Sequence, residues 1–300
     1  MTDLQLGLLV LGAVAVVGVV LYNRLQERAV RREAERAFAS RHSDVLLGGE
    51  AEPRAGTVRE LSGATVPAGA MPDPRLDYVL TLRIPVGLPA AAALESWHPI
   101  EQRFGRRVLL AGSDGSGWRP VAHGELGTFA SLRAGLQMVS RGGVVSDAEL
   151  IEFRTEVETL ASRVRAECSA PEMRAALESA RELDRFCADA DIQVALHVVG
   201  EGIEVPADPE AAYQVSAQEK GVTFLLDMPR TEDPARAFEG MTRAARQLAG
   251  RSGGRLVDDR DQPLDERALA AIGAELEAVR RRLSERGLEP GSMVALRLFS

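Results

Sequence analysis

Nineteen consecutive residues, Leu4 to Tyr22 (LQLGLLVLGAVAVVGVVLY), carry no charge and one polar side chain, Gln5. As a helix rising about 1.5 Å per residue they would span roughly 28 Å, close to the hydrocarbon thickness of a bilayer. Arg24, Arg28, Arg31, Arg32, Arg36 and Arg41 follow this run, and only Asp3 precedes it. A cleaved signal peptide needs a basic start and a shorter apolar core; here the start is acidic and the core long. A core helix is the other reading, but a helix apolar on every face needs protein all around it. The sequence therefore predicts an uncleaved transmembrane anchor over residues 1–23. Arginines at one end only place residues 24–300 in the cytoplasm and the N-terminus outside.

The text beyond the anchor changes character twice. Residues 24–43 are rich in Ala, Glu and Arg with pairs such as Glu27 and Arg31, which predicts a basic helical stalk. Residues 44–76 mix Pro53, Pro67, Pro72 and Pro74 with five glycines and show no hydrophobic period. They read as a flexible linker with an r.m.s. reach of roughly 30–35 Å. The folded part is expected to start at Asp77.

That folded part looks duplicated. Asp77 opens DYVLTLRI and Asp191 opens DIQVALHV, two period-2, β-branched runs that read as strands. Gly135-Leu-Gln-Met-Val resembles Gly221-Val-Thr-Phe-Leu, each read as a strand begun by glycine. Asp147 and Asp233 follow at equal distance and suit helix N-caps, the second with Pro234 behind it. The stripes Leu150, Phe153, Val157, Leu160 and Phe238, Met241, Ala245, Leu248 share one spacing. A second helix is expected in each copy, over about 170–188 (with Ser169 and Glu172 as a capping box) and about 265–285. A closing strand is expected over Met293–Phe299. The offset between copies is 114 residues at the first strand and 86 at the glycine strand, so the second copy lacks 28 residues between Val199 and Lys220. The fold class is α+β, a duplicated antiparallel sheet with helices packed on one face, copies at 77–190 and 191–300.

Composition excludes several functions. A net charge of −8 offers no basic surface for nucleic acid. Two cysteines, Cys168 and Cys187, make neither a disulfide framework nor a zinc site. Gly112, Gly115 and Gly117 lack the Lys-Ser/Thr of a phosphate loop and read as a hairpin turn. His42, His98, His123 and His197 stand at no metal-binding spacing. Asp258-Asp259-Arg260-Asp261 reads as a solvated acidic turn without the spacing of a calcium loop. No catalytic residues, metal ligands, cofactor or small-molecule substrate are therefore expected. The runs 192–198, 222–228 and 293–299 are apolar on both alternations, which leaves two readings: one copy covers the other's free face, or that face binds a partner.

The residues at this point resemble a family. Gly221-Val-Thr-Phe-Leu-Leu-Asp-Met-Pro229, then Ala237-Phe238, Met241, Ala244-Ala245 and Leu248-Ala249, then Gly253-Gly254-Arg-Leu-Val-Asp-Asp259 and Pro263-Leu264, are similar to the C-terminal domain of ZipA-like bacterial cell-division proteins. The order of anchor, basic stalk, linker and cytoplasmic domain resembles that family too. The resemblance implies a non-enzymatic protein of the inner membrane. It would bind the C-terminal peptide of the tubulin-like protein FtsZ on a sheet face and tether the division ring to the membrane. It implies a peptide-binding face of Phe224, Leu226 and Met228, with Val194 and Leu296 as neighbours. Two departures stand out: the linker is short, and residues 199–220 leave little room for the helix and strands usual there. An envelope-assembly or regulatory scaffold with the same fold and a different protein partner is the alternative.

Overall fold

The computed structural model describes residues 69–206 and 212–300, which fall in one compact unit. The predicted anchor (4–22), the stalk (24–43) and the linker up to residue 68 lie outside the described residues. Among the described residues no helix is long and apolar enough to cross a membrane.

The first half of the fold runs β1 (Asp77–Pro89), α1 (Ala90–Phe104), β2 (Val108–Ser113), β3 (Trp118–Pro120), β4 (Thr128–Gln137), β5 (Val139–Ser140), β6 (Gly143–Val144), α2 (Asp147–Arg163), β7 (Glu167–Ser169) and α3 (Met173–Ala190). The second half runs β8 (Gln193–Val199), β9 (Gln214–Gln218), β10 (Gly221–Asp227), α4 (Pro234–Ser252), β11 (Arg255–Val257), α5 (Glu266–Glu285) and α6 (Met293–Leu298). All pairings are antiparallel. The first sheet has the order β3-β2-β4-β1-β7, the second β11-β8-β10-β9. Leaving β3 and the β5–β6 hairpin aside, the strands of the two halves follow one spatial order and one order along the chain. The second half has no described counterpart of α1 between Val199 and Gln214, and none of β3 between Gln218 and Gly221.

Alternation decides the inner side of each sheet. Tyr78, Leu80, Leu82 and Ile84 of β1 are buried with their partners Leu136, Ala134 and Leu132 of β4, under α1 and α2. Phe104 of α1 meets Phe153 of α2 edge to face, centroids 5.5 Å apart. The predicted stripe Leu150, Phe153, Val157, Leu160 is the buried side of α2, and Phe238, Met241, Ala245, Leu248 that of α4. Burying such side chains is worth roughly 1.5–3 kcal/mol each. Asp233 caps α4 with Pro234 at its first position, as expected. The cap of α2 is Ser146 rather than Asp147, and α3 is capped by the carboxylate of Glu172 rather than begun at Ala170.

Three further expectations are corrected. Gly135 does not begin a strand: it lies near the end of β4 opposite Val79, whereas Gly221 opens β10 opposite Val199. Met293–Leu298 is a helix, not a strand; Ser292 accepts a hydrogen bond from Ala295 N, and Ala295 and Leu298 turn inward three residues apart. Six residues that are apolar except for Arg297 fit either period, and here the cap decides. Residues 69–76 are part of the fold rather than linker: Ala70, Pro72 and Leu76 are buried, and Leu76 O accepts from Met138 N at 2.8 Å.

Candidate functional site: the two faces of the second sheet

The strand pairs of the second sheet sort its residues by face. Val194 opposes Leu226, Leu196 opposes Phe224, and Val198 opposes Val222. Opposed residues point to the same side. α4 packs on that side, and Leu196, Val198, Val222, Phe224, Leu226 and Met228 are all at most 1% exposed. The expected peptide-binding set is thus corrected. Phe224, Leu226 and Met228 do share a surface, together with the half-buried Val194, but that surface is the core. Leu296 sits apart, half-buried on α6, where its carbonyl accepts from Arg230. The physical reason is plain: the helix stripe needs the larger apolar alternation of β10, and Phe224 and Leu226 provide it.

The opposite side carries Gln193, Ala195, His197 and Val199 of β8 beside Asp227, Leu225, Thr223 and Gly221 of β10. Gln214, Ser216 and Gln218 of β9 continue it. Leu225 is the large apolar side chain of this stretch and is half-buried; Gln193, Gln214, Ser216 and Gln218 are exposed. The face is a polar surface with a small apolar centre at Ala195 and Leu225.

At one end a pocket forms among His197, Gln218, Lys220, Thr223, Asp258 and Asp259. His197 Nδ1 lies 2.8 Å from Thr223 Oγ1, and Nε2 lies 2.8 Å from Asp259 Oδ1. A carboxylate only accepts, so Nε2 carries a proton toward Asp259; Nδ1 accepts from the threonine hydroxyl when the ring is neutral and donates to it when the ring is charged. Asp259 is 77% exposed, so the ring is oriented by a solvated charge. The line pins the Asp258–Asp261 turn to the sheet. Asp258 Oδ1 accepts from Gln262 N and Arg260 N, each at 2.8 Å, and these bonds hold its carboxyl below the usual range. Among the described residues no group of His, Cys, Asp and Glu is arranged to hold a metal ion.

At the other end Arg141, in the turn between β5 and β6, reaches across from the first half. It donates to both oxygens of Asp227 and both of Asp191 at 2.7–3.2 Å. Burial works against this guanidinium charge, yet the two carboxylates more than offset it and raise its pKa. Sequence reading missed this cluster, because 86 residues separate Arg141 from Asp227.

Strands β9 and β10, the capped α4, β11 and the first half of α5 form one continuous stretch of chain around this sheet. A family model described as ZipA, C-terminal FtsZ-binding domain, matches residues 209–275. The chain is ZipA-like over that stretch. The ZipA-like segment is narrower than the 191–300 expected from motifs, and it leaves out β8 and the whole first sheet. Comparison with curated proteins and with solved structures gives no match.

Proposed function

We propose that this protein binds the C-terminal peptide of FtsZ on the helix-free side of its second sheet, around Ala195 and Leu225. One observation carries the reading: the FtsZ-binding family match falls on three of the four strands of this sheet, β9, β10 and β11, and on the helix α4 packed against it, with β8 and its Ala195 outside the matched stretch. In the same reading the apolar run at residues 4–22 is a single-pass anchor in the bacterial inner membrane and residues 24–300 are cytoplasmic. The protein then tethers the division ring without catalysis. A ligand held near the bilayer by such an anchor meets an effective concentration of order mM, so a weak contact suffices. The common strand order of the two sheets supports descent of both halves from one duplicated unit, the second having lost α1.

A second reading draws on the polarity of the face. Gln193, Gln214, Ser216 and His197 surround a small apolar centre, which suits a more polar protein partner in an envelope-assembly or regulatory scaffold. Capture of FtsZ and of FtsZ lacking its C-terminal tail by the immobilised full chain separates the two. The first reading expects the intact protein alone to be retained, and Leu225→Glu to abolish retention. Equal capture of both forms, or of neither, sinks it in favour of the second.

A further inference from the structure

The helix-free side of the first sheet differs from that of the second: it is occupied by the chain itself. Gly135 pairs with Val79 and Leu109, and its neighbours Ala134 and Leu136 point into the core, so position 135 faces away from the helices. A Cβ placed there would lie 2.7 Å from Pro72 Cβ and 3.3 Å from Pro72 Cα. Ala70 and Pro72 are buried while Met71 between them is 40% exposed, the alternation of an extended segment lying on a surface. Ala111 and Ser113 of β2, on the same side of the sheet, are also buried.

The fastenings are one-sided. Asp73 N donates to Asp77 Oδ2 at 2.7 Å, Arg75 bonds Asp73 and donates to Gly287 O at 3.0 Å, and Leu76 O accepts from Met138 N. Among the described residues no backbone hydrogen bond joins Gly69–Pro72 to the sheet. Those four residues are held by side-chain burial next to a firm hinge at Asp73, a combination that opens locally at low cost. In the second sheet, counting back two residues from the ends of β4 and β10, the place of Gly135 is taken by Leu225. A leucine there leaves no comparable seat.

We propose that Gly69–Pro72 is a removable strap that closes a peptide-accepting face on the first sheet. Its release about Asp73 exposes that face to an extended, proline-containing apolar segment. Because the strap leads back toward residue 68, a pull from the N-terminal side peels it away. This inference stands apart from the FtsZ reading and concerns a different sheet.

The test uses the full chain and a fluorescent peptide of residues 66–76. Pro72→Glu unseats the strap and leaves its seat intact, so the peptide should bind this variant at least tenfold tighter than the wild type. Gly135→Val fills the seat, and peptide binding should be absent even when Pro72→Glu is added. Hydrogen exchange gives a second measure. In the wild type the amides of Ala70 and Met71 should exchange without global unfolding, and Gly135→Val should speed them at least tenfold while α2 is unchanged. A Pro72→Glu chain that ignores the peptide or fails to fold overturns the proposal, as does exchange at Ala70 and Met71 only through global unfolding. The segment would then be a fixed part of the fold.

Discussion

Arg141 grips Asp227 with two parallel hydrogen bonds of 2.8 Å each, and in doing so fastens a turn of the first half to the last residue of a strand in the second. Bidentate charge-assisted bonds of this kind are the strong ones. Arg141→Met would remove the cation shared by Asp191 and Asp227, leaving Asp227 only the longer ion pair with Arg230 at 3.9 Å. The expected loss is about 2 kcal/mol, read as a lower midpoint in chemical denaturation. An unchanged midpoint would mean the two halves do not depend on this joint.

Leu225 and Leu226 are sequence neighbours with opposite fates. Leu226 is fully buried, and Leu226→Ala should cost about 2–5 kcal/mol. Leu225→Ala, on the helix-free side, should cost less than about 1 kcal/mol. Thermal unfolding of the two variants checks the assignment of faces, independently of any partner. Equal shifts would contradict it.

Gly221 opens β10 with φ +148°, and a Cβ there would sit 2.0 Å from the carbonyl oxygen of Val198. Backbone cannot yield as a side chain does. Gly221→Ala is expected to destabilise by on the order of 3 kcal/mol, and loss of the β8–β10 pairing should appear in hydrogen exchange of Val198 and Val199. A variant as stable as the wild type would refute this close approach.

The two cysteines should react very differently. Cys168 is exposed on β7, whereas burial pushes the Cys187 thiol in α3 up to about 12. At pH 8 only about one Cys187 in ten thousand is then thiolate. Alkylation followed by mass spectrometry should find one modified thiol in the native protein and two after unfolding. Rapid double modification of the native protein would show α3 to be loosely packed.

Periodicity made much of this architecture legible. The alternation in 77–84 and 222–228 and the stripes at Leu150 and Phe238 mark elements that the structure contains. Alternation tells which residues share a side; it does not tell which side receives a helix. That is why Phe224, Leu226 and Met228 could be grouped correctly and still be assigned to the wrong surface. The helix at Met293–Leu298 was hidden because so short a run, five apolar residues and Arg297, satisfies two periods and the deciding cap is Ser292. The strap was hidden because its seat is a missing side chain, at Gly135, 63 residues from Pro72. Arg141 and Asp227 gave no local signal, since each alone looks like an ordinary surface charge.

The buried pair of Arg297 and Asp77 spans 220 residues of chain. Burial pushes the Asp77 carboxyl up, and the Arg297 guanidinium opposes that push. On a ribosome adding about 5–20 residues per second, Asp77 leaves the tunnel roughly 10–40 s before its partner. Throughout that interval the first strand carries a carboxylate whose native neighbour has not yet been made. Gln137, which donates to the carbonyl of Arg297, waits as well. The start of β1 and the end of β4, where Asp77 pairs with Gln137, therefore lack their α6 partner during the synthesis of the first sheet, and the N-terminal half reaches its final form only after that helix has emerged. Translation order and assembly order run in opposite directions at this joint.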